Sequence, residues 1–233
     1  MKPKSDLERK PRVVKSTLKE QISQQIKEMI LTNRLPPGQP IVIDKIAEEF
    51  GVSHTPVREA LAMLESDGLI EQTSYQNPRV PLVTVDDVRE VYEMRLMVES
   101  WAAERAAVNL DDSIIRRIEE LLDVARAEAT RKKYETHLKV DLILHETLLR
   151  STNNDLFWSL AQRIHEHTIL VRSLVEATGS AQEIEKIIDE HSVIVDALYT
   201  HDPKLVREAL VAHLMAGLER TMKVINVSED RAI

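Results

Sequence analysis

The 233-residue sequence predicts a mainly α-helical protein in two parts. One is a small N-terminal head, a helix-turn-helix followed by a β-hairpin wing. The other is a C-terminal all-α bundle of six helices. Three observations predict this. Three of the five glycines (Gly38, Gly51, Gly68) and eight of the nine prolines lie at or before Pro81. Such residues interrupt helices and supply turns, so the head is turn-rich and the remainder almost wholly helical. Charge divides at the same place, with a net +1 over residues 1–80 and −9 over residues 81–233. From Thr84 onward, apolar residues recur every three or four positions, the period of a helix with one buried face. The expected organisation is a basic flexible arm (1–16), a head (17–83), a helical body (84–226) and a short tail (227–233).

Composition removes several function classes. There is no cysteine, which excludes disulfide scaffolds, thiol catalysis and cysteine-ligated zinc or iron–sulfur sites. The stretch from Met1 to Lys15 has no apolar core of a secretory signal. No apolar run approaches the ~20 residues of a membrane span. A soluble cytoplasmic protein is expected. Met1 to Lys19 holds seven basic and two acidic groups, so the basicity of the head lies on its arm.

The elements follow in order. Thr17 and Glu20 form a capping box ahead of Leu18, Ile22, Ile26 and Ile30, predicting a helix that ends near Asn33. A short helix spans Ile43 to Phe50, and a third runs from His54 to Ser66 with Val57, Leu61 and Leu64 inward. Leu69–Thr73 and Arg79–Val83 read as two strands around 74–78. Six body helices follow, starting near Thr84, Asp112, Tyr134, Asp155, Ser180 and Pro203. Thr84 with Asp87 and Ser180 with Glu183 cap two of them, and Asp202-Pro203 opens the last.

Ala47, Gly51 and Val57 have the spacing of a helix-turn-helix. The alanine lets two helices approach, the glycine takes the left-handed conformation of the turn, and the β-branched residue anchors the second helix. His54, Thr55, Arg58 and Glu59 then face outward near the end of the helix that meets base edges in a major groove. Gln76, Asn77 and Arg79 stand on the wing, in reach of phosphates or the minor groove. Taken alone, the spacing fits an ordinary three-helix subdomain equally well.

The body carries a second set of residues. Asp141 and His145, four apart, project from one helical face together with Leu138, Leu142, Leu148 and Leu149. His191 lies on the stripe Ile184, Ile187, Ile188, Ile194, Val195 and Leu198, and His213 lies among Val206, Ala209, Leu210 and Leu214. Three histidines and a carboxylate therefore aim inward from three helices. A buried carboxylate needs neutralising, and this donor set suits a divalent ion, zinc first and nickel or manganese next. Each residue read singly fits a core position satisfied by a local hydrogen bond. His137, His165 and His201 read as polar or loop-adjacent.

The stretches LPPGQPI and IAEEFGVSHTPVREALAMLESDGLI closely resemble the winged-helix domain of the GntR family of bacterial transcription regulators. DLILHETLLRSTNN, EHSVIVDALYTHD and AHL resemble the FCD effector domain of its FadR-type subgroup. The resemblance implies DNA contacts at Thr55 and Arg58, with His54 where a basic residue is usual and Asn77 where the wing usually has glycine. It implies a metal held by an Asp-x-x-x-His pair and two later histidines, matching Asp141, His145, His191 and His213. It further implies a small organic acid as effector, coordinated by the metal or held in a pocket that a structural ion supports, with Arg95 on the first bundle helix matching the family's arginine. Arg163 and Arg172 are further pocket candidates. For Arg95, an ion pair with Glu99 one turn on is an equal reading. A homodimeric repressor on a pseudo-palindromic double-stranded DNA operator, with no enzymatic activity, is the function the resemblance implies. A direct metal sensor and a metal-dependent hydrolase fused to a DNA-binding head are the alternatives.

Overall fold

The computed structural model describes residues 16–72, 77–131, 135–176 and 180–230. Among these, nine helices follow one another in the expected order. The head contains α1 (Leu18–Leu31), α2 (Ile43–Phe50) and α3 (His54–Ser66). The body contains α4 (Val85–Asn109), α5 (Asp112–Ala129), α6 (Glu135–Arg150), α7 (Asp155–Glu176), α8 (Ala181–Tyr199) and α9 (Pro203–Asp230). Thr17, Thr84 and Ser180 each close a capping box with the acidic residue three positions on. Each box satisfies two of the donors left unpaired at a helix start. No helix among the described residues is long and apolar enough to cross a membrane.

In the head, Gly51 ends α2 with φ 64° and ψ 35°, the left-handed turn expected there. Val57, Ala60, Leu61 and Leu64 of α3 are buried against Ile26 and Ile30 of α1, leaving Thr55, Arg58 and Glu59 exposed. The wing differs from the two-strand expectation. Among the described residues it consists of single antiparallel bridges, Glu71 to Arg79 and Pro40 to Arg79. Glu71 and Arg79 exchange two backbone hydrogen bonds of 2.9 Å. Pro78 and Pro81 have no N–H to extend that ladder. The returning arm pairs instead with the Gly38–Ile41 segment, through Gly38 N–H to Val80 at 2.8 Å and Ile41 N–H to Pro78 at 2.6 Å. Residues 73–76, including Gln76 at the expected tip, lie outside the described residues.

In the body, α4 runs beside α9, and α5 packs on α6 and α8. Small residues make the first of these contacts close. Ala103, Ala106 and Ala107 are fully buried in one core with Val206, Leu210 and Leu214 of α9, and a Cβ on Gly217 of α9 would stand 2.8 Å from the Tyr92 hydroxyl. The main core joins Leu122, Leu144, Leu148, Ile188, Leu198 and Leu210. The head's own core takes in three body residues, Leu138, Ile169 and Leu170.

Candidate metal centre and DNA-reading helix

The first turn of α3 presents His54, Thr55 and Arg58 to solvent, because Val57 and Leu61 turn the opposite face into the head. His54 Nε2 lies 3.3 Å from Asp44 of α2. Asn77 is exposed, and Arg79 Nε donates to Glu71 at 2.5 Å. Among the described residues, nothing packs over this outward face of α3.

The second set converges. One donor atom each from Asp141, His145, His191 and His213 lies within 4.8 Å of the others, and all four residues are buried. Nε2 of His213 is 3.2 Å from Nε2 of His145 and 3.3 Å from Nε2 of His191, and His191 Nε2 is 3.1 Å from Asp141 Oδ1. Ligands ~2.0 Å from a tetrahedral zinc ion stand roughly 3.3 Å apart, the spacing seen between these nitrogens.

The outer layer decides which way the rings are protonated. Nδ1 of His145 is 2.5 Å from Glu99, and Nδ1 of His213 is 2.9 Å from Glu190. An ionised carboxylate only accepts, so Nδ1 of each ring donates to it and Nε2 is the atom turned toward the centre. Burial, and then the charge of His191, pushes His213 down to about 3, so this ring is neutral near pH 7. Burial likewise lowers His191. Nε2 of the neutral His213 ring keeps a lone pair facing the centre, where a cation would receive it. Burial alone would raise Asp141, but the charge of the Arg172 guanidinium, and then His191 with Nε2 3.1 Å from Oδ1, hold it well below the usual carboxylate range. Both its oxygens lack an aligned hydrogen bond, as do Nε and Nη2 of Arg172. Three converging imidazole nitrogens and an unsatisfied carboxylate together fit a divalent ion.

Glu99 and Glu190 are themselves held. Arg95 Nε donates to Glu99 at 2.6 Å, and Arg220 grips Glu190 through two bonds of 2.6 and 2.7 Å. Burial would raise Glu190, but the bonds from His213 and Arg220 take it down to about 2. Carboxylates of this kind orient ligating rings and raise their basicity.

The structure brings Arg172 to the centre and places Arg95 one layer out, in its ion pair with Glu99. Arg163 is exposed, and its charge acts on His167 rather than on the cluster, because α7 turns it outward. Two histidines depart from the polar or loop-adjacent positions expected of them. His137 is buried, and His165 is half-buried near enough to sense Glu99 and His145. Glu190 and Arg220 escaped the sequence reading. Their signal was faint: Glu190 adjoins His191, and Arg220 lies two helical turns after His213 on the same face.

The family model for the FCD domain matches residues 90–216, and that for bacterial regulatory proteins of the gntR family matches residues 18–75. The chain belongs to the GntR family. This GntR regulator is 25% identical to the gluconate operon transcriptional repressor of Bacillus licheniformis, over 80% of its own length and 77% of the relative's. It is 29% identical to the probable D-xylose utilization operon transcriptional repressor of Paenarthrobacter nicotinovorans, over 90% and 91%. Among solved structures, E. coli McbR/YncC superposes with a TM-score of 0.81 at 20% identity, covering 90% of this chain and 99% of that one. The metal-free FCD domain of TM0439 superposes at 0.54 with 22% identity, covering 63% and 99%. These two likenesses concern the fold. The GntR regulator is thus a transcription regulator and not an enzyme.

Proposed function

We propose that this GntR regulator is a homodimeric repressor whose affinity for a pseudo-palindromic operator is set by a small carboxylate bound beside a divalent ion. Asp141, His145, His191 and His213 would hold the ion, zinc in the first place and nickel or manganese next. Thr55 and Arg58, with His54, would read base edges, while Asn77 and Arg79 would meet the backbone. One observation carries the reading. Three imidazole nitrogens and an unsatisfied carboxylate face one another in the interior, with Arg172 poised 3.4 Å from that carboxylate. When bound, the ion supplies a positive centre for an anionic ligand. Arg172 contributes donors that have no other aligned partner, which suits a carboxylate. Glu99 and Glu190 hold the rings of His145 and His213, and all four ligand residues are buried.

Control then follows from linkage. An acid that binds one arrangement of the dimer more tightly shifts the population of DNA-reading heads by that difference in affinity. One relative is named for a gluconate operon, so sugar acids head the panel of candidates. Native mass spectrometry of the purified protein, followed by operator gel shifts against that panel, tests the reading. Metal in the dimer together with an acid-dependent change of operator affinity supports it. A metal-free dimer whose operator binding ignores both metal and acids defeats it.

A second reading is favoured by the burial of the cluster, whose ligands are only 1–3% exposed. A site so enclosed suits a sensor in which occupancy by the ion is itself the signal. Operator affinity that titrates with zinc and ignores every acid would select this alternative.

A further inference from the structure

Two body helices carry both the cluster and the seat of the head. On α6, Asp141 and His145 belong to the cluster. One turn before Asp141, Leu138 lies in the buried core of the head with Ile26, Ile30 and Leu64. On α7, Arg172 faces Asp141, and within one turn Ile169 and Leu170 enter the same core. Polar contacts follow the apolar ones. Glu166 of α7 holds Lys27 of α1 at 2.6 Å, with side chains only 10% and 12% exposed. Lys139 of α6 pairs with Glu28 of α1. His167 lies so close to Gly68 that a Cβ there would stand 2.4 Å from its ring. The seam holds the foot of the head and leaves the outer face of α3 exposed.

A packed seam of this kind does not deform continuously, since buried side chains interlock at crystal-like density. A change in the spacing of α6 and α7 therefore reaches α1 as a movement of the whole head. The Asp141–Arg172 contact is what spans those two helices at the cluster. A cation draws on Asp141, and a carboxylate draws on Arg172, so either ligand alters that contact.

We propose that the Asp141–Arg172 contact sets the seat of the head. What binds at the cluster re-spaces α6 and α7, and the seam through Leu138, Ile169, Leu170 and Lys27–Glu166 transmits the change. In a dimer, the seat of each head fixes the separation and tilt of the two reading helices, which must match half-sites about one DNA turn apart. This mechanism rests on the metal-site reading given above.

The chain has no cysteine, so spin labels can be placed at will. Glu48→Cys on α2 and Glu120→Cys on α5 are both at exposed positions, one in each part. The doubly labelled chain, diluted with unlabelled protein, is measured by pulsed dipolar spectroscopy with and without zinc. The parent should give one narrow head-to-body distance that shifts when zinc binds. In Glu166→Gln and Lys27→Met the distribution should broaden and lose the zinc-dependent shift, while zinc affinity stays within about 3-fold of the parent. A zinc shift of equal size in those variants overturns the proposal, as does a parent that binds zinc without any shift. If the parent binds none of zinc, nickel and manganese, the metal-site reading fails, and Asp141→Asn and Arg172→Met test the seam directly. Both should then move the head distance without added metal, and unchanged distances in both would overturn the seam proposal as well.

Discussion

Nη2 of Arg172 stands 3.4 Å from Oδ1 of Asp141, both groups are almost completely buried, and the two are not aligned as a hydrogen bond. Removing one member of a buried charge pair usually costs stability, because it leaves the other uncompensated. Here a bound cation supplies a second partner for Asp141. Arg172→Met should therefore tighten zinc binding, since the guanidinium no longer competes for the carboxylate, and should abolish any response to organic acids. Competition against a chromophoric chelator reads the first effect and operator titration the second. Weaker zinc binding in this variant would contradict the competition argument.

Loss of a ligand should act in the opposite direction. Asp141→Asn and His213→Ala should each weaken zinc binding and remove the thermal stabilisation that zinc gives the parent. At a thousandfold excess over Kd, that stabilisation is about 4 kcal/mol, a Tm rise on the order of 10 °C for a chain of this length. Calorimetry with and without zinc checks it. An equal rise in parent and variants would place the ion elsewhere.

Arg58 is exposed on α3 while Val57 beside it is fully buried. Arg58→Ala should abolish specific operator binding and leave the circular dichroism spectrum and Tm unchanged. The loss of one bidentate base contact corresponds to about 1–3 kcal/mol of discrimination. Gel-shift affinity equal to that of the parent would remove Arg58 from the reading surface.

Gly51 tests the turn without any packing effect. Its φ is 64°, and nothing lies within 4 Å of a Cβ built there. Gly51→Ala should cost about 1–2 kcal/mol from backbone strain alone. Gly51→Asn should cost less, because asparagine visits this region more readily. Chemical denaturation of the two variants gives the comparison.

Acid should destabilise the metal-free protein in a defined window. His213 is pushed down to about 3 in the fold, against an ordinary value of 6.5. Between those values the unfolded chain binds more protons than the folded one, so stability is full above pH 6.5 and falls as pH drops toward 3. Glu190, lowered from 4.5 to about 2, adds to the loss below pH 4.5, where the unfolded carboxylate takes up a proton that the folded one refuses. Saturating zinc should delay the first loss, since protons must then displace the ion from neutral rings. A metal-free Tm that stays flat from about pH 7 to about pH 4 would contradict this sign.

Much of the molecule was legible in the chain itself. Helix starts at Thr17, Thr84 and Ser180, the left-handed turn at Gly51 and the inward faces of α6, α8 and α9 are matters of spacing over a few residues. Helical geometry converts such spacing directly into direction. The Asp141–His145 pair is of this local kind, and the inward stripes around His191 and His213 supplied the rest of the quartet. The wing was less legible, because Pro78 and Pro81 moved its pairing onto the Gly38–Ile41 segment, far earlier in the chain.

The sequence by itself determined the helices, their buried faces and four side chains pointing inward. Only the tertiary structure decided that those four meet within 4.8 Å. It also decided that Glu99 and Glu190 orient two of the rings, that Arg172 reaches Asp141 where Arg163 turns to solvent, and that the head sits on α6 and α7. The physical reason is that periodicity fixes which face of a helix is apolar. Which faces then lie against one another depends on side-chain volumes packed across residues far apart in the chain, from Ala103 and Gly217 to Leu138 and Ile30.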